Sequence, residues 1–372
     1  MKKTILLFIL TALLPVVASA YQDYKAYDAY VDGIYYKLSG DEAIVTYEED
    51  YVFPCYSGSV VIPSTIEYEG ETYRVTSIGP EAFYQCADLT SVSIGENVAS
   101  VGWRSFYGCT GLTSITIPEN VTYTGGEAFY ECEGLKSVTI CNGEIGEEAF
   151  EYCFGLTSLT LGNGVTCIGN SAFASCLSLP SLTIPSNVTR IESYAFWGCR
   201  SLANLEIQEG VTDIYNNAFA GCTSLTSVVI PNSVTNIQRE AFNGCTGLTS
   251  VTIPSSLVSL AEMIFYNCAN LNSITIPENV NAIGEYAFSE CGNLTDVNCL
   301  AVNVPATDDN AFKESPIASA TLHVPLYAHA FAYAVPSFLC PFFLPLACQK
   351  ASTAQCSIVS ASPVTVLHVC FS

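Results

Sequence analysis

The chain has 372 residues, half of them apolar, and its 35 acidic residues outnumber 12 basic ones, giving a formal net charge of −23. This balance excludes nucleic acid and bare anionic membranes as partners, because both are bound through a basic face. A surface of this sign stays soluble and favours cationic partners. The apolar half of the chain is enough for a large buried core.

A signal peptide is predicted over residues 1–20. Lys2 and Lys3 form a basic start, residues 5–17 form an apolar run, and Ala18-Ser19-Ala20 matches the small-residue cleavage pattern. The apolar run is too short for a membrane span, and we expect no membrane insertion elsewhere. The sequence therefore predicts a secreted or cell-surface protein whose mature chain begins at Tyr21.

The next segment, residues 21–76, precedes the regular part of the chain. Residues 31–36 and 60–63 are rich in β-branched and aromatic residues and are separated by turn-forming residues. This composition indicates short strands joined by turns. We expect residues 21–76 to form a small N-terminal β cap on whatever follows.

Residues 77–327 are dominated by one repeated pattern. A phenylalanine recurs every 23 residues, a cysteine follows three residues later and a leucine three residues after that; one interval is 21 residues and the last is 24. The phenylalanines are Phe83, Phe106, Phe129, Phe150, Phe173, Phe196, Phe219, Phe242, Phe265, Phe288 and the outlying Phe312. A fixed period of this length predicts a stack of about ten units plus a degenerate last one.

Each unit has two halves, as residues 241–254 illustrate. The first half, A-F-x-x-C-x-x-L, places apolar residues three apart, which is typical of one side of a short helical turn. In the second half, L-T-S-V-T-I-P, Val251 and Ile253 alternate with polar residues and Pro254 ends the strand. Stacked units would pair their strands in parallel. The predicted fold is therefore a repeat solenoid, with a parallel β-sheet of short strands joined by short helical turns and loops.

Two local features refine this prediction. Glycine stands four residues before the phenylalanine in six units, where we expect the chain to turn. These glycines are Gly79, Gly102, Gly125, Gly146, Gly169 and Gly284. The unit between Phe129 and Phe150 is two residues short, and we expect its loop to be tighter than the others.

The unit resembles the BspA-like leucine-rich repeat of bacterial secreted and surface proteins. The matching elements are A-F-x-x-C-x-x-L-T-S-V-T-I-P followed by x-x-V-x-x-I-G, over about residues 77–325. Residues 21–76 are similar to the entry region of these proteins, and residues 320–325 to their terminal strand. The resemblance implies a leucine-rich-repeat solenoid of the α/β type, surface display, and binding to host or neighbouring-cell proteins. It implies no particular ligand.

The tail, residues 328–372, departs from this pattern. Residues 329–372 contain no acidic residue, four cysteines and a single basic residue, Lys350. Its apolar part, residues 331–347, contains Pro336, Pro341 and Pro345, which argue against a membrane helix. No helical or strand period is evident. The interpretations that remain are a shifted reading frame, a disordered tail and a membrane or wall anchor, in that order.

The repeats carry little that could support catalysis or hold a metal ion. Ten cysteines occupy the slot three residues after phenylalanine, where we expect a column of buried thiols rather than disulfides or a zinc site. The three histidines, His323, His329 and His368, all lie at or beyond the last unit. No nucleophile–base pair can therefore form within the repeats. We expect no enzyme activity, no cofactor, no metal site and no catalytic residue.

Three surface features remain as binding candidates, although the pattern does not decide among them. Glutamates cluster opposite the single cation Lys136, at Glu119, Glu127, Glu131, Glu133, Glu144, Glu147, Glu148 and Glu151. Aromatic residues occupy the slot after phenylalanine in five units, at Tyr84, Tyr107, Tyr130, Trp197 and Tyr266. Ser and Thr line the strands, interrupted by Asn204, Glu206, Gln208 and Val229. Each feature also has an interpretation without a ligand: a solvated acidic face for the glutamates, half-buried packing for the aromatic residues, and hydroxyl groups that bond one another along the sheet for Ser and Thr.

The function predicted from these features is a secreted or cell-surface, adhesin-like scaffold that binds extracellular or host proteins. A structural, self-associating surface component and a glycan-binding protein are the alternatives. The N-x-T sequences at Asn120, Asn187 and Asn293 arise from the repeat consensus, and we infer no glycosylation from them.

Overall fold

The computed structural model describes residues 27–47, 56–301, 303 and 305–316, together with the backbone of residues 321–325, 356–359 and 364–369. The predicted signal peptide, His329 and most of the tail lie outside the described residues. Within the described part the regular elements are all strands, and no helix there is long and apolar enough to cross a membrane.

The segment before the repeats forms six strands. They are β1 (Ala29–Val31), β2 (Ile34–Ser39), β3 (Glu42–Thr46), β4 (Gly58–Ile62), β5 (Thr65–Tyr68) and β6 (Glu71–Ile78). Strands β1, β2 and β3 are an antiparallel meander, and β5 pairs antiparallel with β6. The meander joins the rest of the molecule because β3 pairs in parallel with β6.

Tyr56 closes the end of the aromatic core at this cap. Its hydroxyl donates to the carbonyl oxygen of Thr46 at 2.7 Å and accepts from the backbone N–H of Tyr35 at 3.0 Å. Its ring lies 4.4 Å from that of Phe83. The first phenylalanine of the stack is therefore covered by another ring rather than by solvent, which keeps an otherwise exposed apolar end buried.

The repeats follow as a succession of short strands in chain order. They are β7 (Leu89–Ile94), β8 (Ser100–Val101), β9 (Ser114–Ile117), β10 (Tyr123–Thr124), β11 (Ser137–Ile145), β12 (Ser158–Ile168), β13 (Ser181–Ile184), β14 (Arg190–Ile191), β15 (Asn204–Ile207), β16 (Asp213–Ile214), β17 (Ser227–Val229), β18 (Asn236–Ile237), β19 (Ser250–Thr252), β20 (Ser259–Leu260), β21 (Ser273–Ile276), β22 (Ala282–Ile283), β23 (Asp296–Cys299), β24 (Ala306–Thr307) and β25 (Thr321–Pro325).

These strands stack into two parallel rows. The front row contains β7, β9, residues 137–140 of β11, residues 158–161 of β12, and the odd-numbered strands β13 to β25. The rear row contains β8, β10, residues 144–145 of β11, residues 167–168 of β12, and the even-numbered strands β14 to β24. We call each stacked unit a rung. The residues that pair between neighbouring rungs are equivalent positions of the repeat, such as Ser227 and Ser250. This register confirms the predicted leucine-rich-repeat solenoid with a parallel sheet.

The core is a set of continuous columns. The ten phenylalanines from Phe83 to Phe288 are fully buried, as are the leucines that follow them. Consecutive phenylalanine rings are stacked with centroids between 4.7 and 5.7 Å apart. A single unit would leave each of these rings exposed on both faces, so their burial depends on neighbouring rungs.

The A-F-x-x-C segments are tight turns. Within one rung, the N–H of Cys86 bonds the carbonyl of Phe83; between rungs, the N–H of Phe83 bonds the carbonyl of Ser105. For the ten phenylalanines from Phe83 to Phe288, the residues two before and two after have φ of +50° or more, as at Glu81 and Gln85. The predicted short helical turns thus consist of successive single turns with left-handed residues between them, and they are bonded to the next rung as a sheet would be.

The glycines before the phenylalanines have a different role from the one expected. None of the six has a positive φ, so a turn does not require them. A Cβ on Gly125 would lie 2.7 Å from the carbonyl carbon of Gly102, and Gly102 is related to Gly79 in the same way. Glycine is therefore required by the close approach of stacked backbones.

The tail contains two described strands, β26 (Cys356–Val359) and β27 (Val364–Val369). They pair antiparallel with each other, and β27 pairs antiparallel with β25, so the last rung continues into a hairpin. The sequence pattern predicted no strand here, because these residues show neither the repeat nor a clear alternation of polar and apolar side chains.

Candidate binding site

The front row presents a long polar face to solvent. Alternate residues of each strand point away from the core, and Ser and Thr occupy most of these outward positions. The exposed residues include Ser114, Thr116, Ser158, Thr160, Ser181, Thr183, Ser227, Ser250 and Thr252. Hydroxyl groups donate and accept hydrogen bonds on short side chains, so this face can meet another polar surface at a small entropic cost.

The face is interrupted where the sequence analysis located its irregular residues. Asn204 and Glu206 are exposed on β15, and Val229 is 64% exposed on β17. Gln208 is half-buried, and its side-chain oxygen accepts from the backbone N–H of Ser186 at 3.1 Å. Three of the four irregular side chains are thus available to a ligand, and Gln208 instead bridges two rungs.

The aromatic slot forms a stacked column along one edge of the turns. Tyr84 stacks on Tyr107 with centroids 5.1 Å apart, and Tyr107 on Tyr130 at 5.0 Å. Tyr107, Tyr130 and Tyr266 are half-buried, while Tyr84 is 37% and Trp197 43% exposed. Most of the column therefore packs against itself, and its members in different parts of the array do not form one continuous aromatic surface.

The glutamate cluster is less uniform than its sequence suggests. Arg104 donates to both oxygens of the Glu127 carboxylate, from Nε at 2.8 Å and from Nη2 at 3.2 Å. Its guanidinium also lies 4.2 Å from the Trp103 ring centroid. Sequence reasoning missed this pair because Arg104 stands one rung away, and only stacking brings positions 23 residues apart together.

Two other glutamates lie in an environment that disfavours their charge. Burial and, to a smaller extent, the neighbouring carboxylate of Glu148 together raise the pKa of Glu151 to about 7, against the opposing effect of a hydrogen bond from Tyr152. Burial and the charges of Glu127 and Glu147 also raise the pKa of Glu148. Among the described residues, no group of three or more histidine, cysteine or carboxylate side chains is arranged to hold a metal ion.

The cysteine column consists of buried thiols that are hydrogen-bonded across rungs. From Cys109 to Cys291, each Sγ donates to a phenylalanine carbonyl oxygen of the preceding rung, for example Cys109 to Phe83 at 3.0 Å and Cys222 to Phe196 at 3.4 Å. Burial raises the pKa of thiols such as Cys245 to about 12. Thiols of this kind are poor nucleophiles and poor metal ligands. Cys86, at the start of the column, is disulfide-bonded instead.

Two of the three histidines fall in described strands, where the sequence predicted, at the end of the array. His323 is in β25 and pairs with Val366, and His368 is in β27 and pairs with Ser357. Both strands lie several rungs away from β15 and β17, which hold the irregular residues of the front row. The structure therefore brings no histidine to the candidate surface within the described residues.

The N-x-T asparagines are structural. The side-chain amide of Asn120 donates to the carbonyl oxygens of Gly95 at 3.1 Å and Val98 at 2.6 Å. Asn187 donates in the same way to the carbonyl of Asn163 in the preceding rung. Because these amides tie one loop to the next, the repeat favours asparagine for packing, and that use also produces the sequon.

The stacked rungs, parallel rows and buried phenylalanine column define a leucine-rich-repeat solenoid with an open polar strand face. The family model described as BspA type Leucine rich repeat region matches residues 59–144, 143–241 and 212–334, in six copies. The chain belongs to this family.

Several solved structures are similar to the chain. A leucine rich cell surface protein from Faecalibacterium prausnitzii A2-165 is 26% identical over 81% of this chain and 95% of its own, with a TM-score of 0.41. A leucine-rich repeat protein from Bacteroides ovatus is 23% identical over 82% and 97%, with a TM-score of 0.44. The pneumococcal vaccine antigen PcpA is 14% identical over 84% and 97%, with a TM-score of 0.38. No curated protein sequence matches the chain significantly.

Proposed function

We propose that this chain is a secreted or surface-displayed scaffold that binds proteins of a host or a neighbouring cell through its front row. The observation that carries the proposal is the row itself, which leaves outward hydroxyls exposed over successive rungs while the inward residues of the same strands build the core. The leader-like residues 1–20 support export.

A binding role suits the way this molecule is built. The apolar residues that stabilise the fold lie in the buried columns. The outward positions of the strands can therefore vary with little loss of stability. Asn204, Glu206 and Val229 use that freedom within two adjacent strands. A ligand that contacts this region would meet an amide, a carboxylate and an apolar group in a fixed arrangement, which is what specific recognition requires.

The test is a binding survey with the purified protein at physiological salt. Immobilised extracellular-matrix proteins, plasma proteins and polysaccharides would be presented to wild type and to two variants by biolayer interferometry. Ser250→Arg places a bulky charge on the front row, and Thr235→Arg places the same charge on an exposed position outside it. We expect saturable binding to a protein that Ser250→Arg or a similar front-row variant weakens and Thr235→Arg leaves unchanged.

The alternatives give different results in the same survey. A structural, self-associating component would bind none of the immobilised proteins and would show a molar mass that rises with concentration in light scattering. A glycan-binding protein would retain a polysaccharide instead. Either result would contradict the proposal.

A further inference from the structure

The front row is interrupted between β12 and β13. Strands β9, β11 and β12 form one ladder and β13, β15, β17 and β19 form another, but no ladder bond joins residues 158–161 to residues 181–184. The rear row continues across the same interface, since Cys167 and Ile168 pair with Arg190 and Ile191. The rungs therefore remain stacked while their front edges are not hydrogen-bonded to each other.

Pro180 distinguishes this interruption from the other two gaps in the front row. In neighbouring rungs the residue at this position donates its N–H to the preceding rung, as Thr157 does to the carbonyl of Lys136 at 3.0 Å. The two other gaps in the front row keep this bond, from Thr113 to Thr90 and from Asn272 to Thr249. Proline has no N–H, so at position 180 this bond is absent as well, and the gap between β12 and β13 lacks both the ladder and the bond that precedes it.

Apolar side chains beside the interruption are less buried than those of β9. Leu159 and Leu161 of β12 are half-buried, whereas the equivalent Ile115 and Ile117 of β9 are at most 3% exposed. Together with Leu205 of β15, they line a pocket of about 400 Å³. We call it the Pro180 pocket; its other lining residues are Thr160, Ser181, Leu182, Thr183, Ala203, Asn204, Glu206 and Ser227.

The wall of the pocket carries one charge. Glu206 is its only ionisable lining residue; its carboxylate accepts a hydrogen bond from the Thr183 hydroxyl at 3.3 Å and forms no ion pair among the described residues. Hydroxyl and amide groups make up the rest of the polar wall. A ligand that fills this space would meet apolar contacts inside and one uncompensated negative charge at the exposed side.

We infer that the Pro180 pocket accepts a long basic side chain, lysine or arginine, from the protein that the front row binds. The inference rests on the proposed function and names the chemistry of its partner. Basic side chains pack their methylene stems on apolar surface and keep the charged end at a polar edge, which matches the leucines and Glu206. The overall acidic charge of the chain favours the approach of such a partner.

The lining favours a basic side chain over a sugar. Sugar-binding sites commonly offer aromatic faces on which a sugar ring packs, but no aromatic residue lines this pocket. The volume falls within the range of small-ligand sites, so it accommodates a side chain with its adjoining backbone. A neutral apolar side chain would fill the same space but leave Glu206 without a partner.

The experiment uses the full chain with ¹³C-labelled leucine methyl groups and blocked tripeptides as probes. Gly-Lys-Gly and Gly-Arg-Gly carry the basic side chain, Gly-norleucine-Gly is a neutral isostere, and a neutral oligosaccharide provides the glycan arm. We expect saturable shifts at the methyls of Leu159, Leu161 and Leu205 with the basic peptides, and affinity at least about tenfold lower with norleucine.

Two variants and one control substitution test whether the response comes from the pocket. Glu206→Gln should weaken the basic peptides at least about tenfold and leave norleucine unchanged, while Glu278→Gln, at an exposed carboxylate outside the pocket, should change neither. Pro180→Thr restores the N–H donor that the other two gaps keep, should narrow the pocket and should weaken the shifts without lowering Tm. Equal response to norleucine, no shift at these methyls, or a shift of these methyls by the oligosaccharide would overturn the inference.

The two proposals can fail separately. A protein partner that binds wild type and Glu206→Gln with equal affinity would contradict the inference and leave the proposed function standing. If the binding survey finds no protein partner but the basic peptides still bind the pocket, the proposed function is contradicted and the assignment of the pocket stands.

Discussion

The phenylalanine and the cysteine of one unit are buried equally but are expected to differ in their contribution to stability. Phe219 is fully buried between Phe196 and Phe242, with ring centroids 5.5 and 5.4 Å away. Phe219→Ala should lower the free energy of unfolding by about 3–5 kcal/mol, because neighbouring rungs cannot close a cavity of that size. Chemical denaturation followed by circular dichroism measures the change.

Cys222→Ala provides the matched comparison in the same rung. It removes a single sulfur atom and a weak hydrogen bond to Phe196, so we expect a loss under about 1.5 kcal/mol. A loss as large as that of Phe219→Ala would show that the thiol column has a covalent or metal-binding role.

Ser105 is a buried hydroxyl in a column of alanines. It is fully buried and its Oγ has no hydrogen-bond partner, while Ala82 and Ala128 occupy the equivalent positions in the adjacent rungs. Ser105→Ala should therefore raise the free energy of unfolding by about 1 kcal/mol, since an unpaired buried hydroxyl is costly.

The reverse substitution tests the same reasoning. Ala128→Ser introduces a hydroxyl at the equivalent position one rung later and should lower stability by about 1–2 kcal/mol. Loss of stability on Ser105→Ala would mean that the hydroxyl has a partner, such as a bound water, in solution.

At the scale of the element, glycine sets how closely two turns approach. A Cβ at position 125 would meet Gly102 and Trp103 backbone atoms at 2.7 and 2.8 Å. Gly125→Ala should lower stability by about 1–3 kcal/mol, although the same substitution at an unhindered site commonly raises it. Gln238→Ala, in the equivalent slot of a later rung, should change it by less than about 0.5 kcal/mol.

The spacing of the phenylalanine rings agrees with this account. Between Phe83 and Phe150, where each rung has the glycine, ring centroids are 4.7 or 4.8 Å apart. Between Phe196 and Phe265, where larger residues replace it, the distances are 5.4 to 5.7 Å, and the glycine rungs of Phe150 and Phe173 have an intermediate distance of 5.1 Å. An equal effect of Gly125→Ala and Gln238→Ala on the melting temperature would show that the glycines do not control this spacing.

The short rung carries the clearest pH dependence. The pKa of Glu151 is raised to about 7 in the fold, so the folded protein holds a proton there that the unfolded chain releases near its usual value. Stability from this group is present below that usual value and is lost as pH rises toward 7. The half-buried position and solvent screening limit the loss to on the order of 1 kcal/mol.

Glu151→Gln should remove that dependence. Unfolding curves at pH 5 and pH 8 should differ less for this variant than for wild type, whereas Glu133→Gln, at an exposed carboxylate nearby, should behave as wild type does. If wild type is more stable at pH 8 than at pH 5 by a margin that Glu151→Gln does not alter, the environment assigned to Glu151 is wrong.

For the whole molecule, the period of the sequence was sufficient to predict the solenoid, its parallel rows and its buried columns. Those features depend on residues that recur in every rung, such as Phe219, Cys222 and Val251. The period could not show the pairing of Arg104 with Glu127 or the loss of the ladder at Pro180, because each is a single departure whose effect depends on the rung beside it. A proline where other units place a donor was nevertheless a readable signal.

The function could be predicted from sequence only as a class. Outward positions such as Asn204 and Glu206 are recognisable because they break the Ser and Thr pattern, and the structure adds that they lie beside a pocket. We expect contacts with a partner to be made by such irregular residues rather than by the repeated ones. A ligand therefore has to be found by experiment at those positions.

The hydrogen bonds between rungs imply a rule about the length of this molecule. Side-chain and turn bonds of the array join residues about one period apart, as Thr249 does to Thr226 at 3.0 Å across 23 residues. Removing residues 220–242 would place Asn243 after Phe219 and leave every remaining donor opposite an equivalent acceptor. Gene variants that gain or lose whole units should thus fold into longer or shorter versions of the same solenoid. The unit before Phe150, which is two residues short, does not have the tighter loop expected from its sequence: its residues 137–145 run as the single strand β11, with shifts in register against β12.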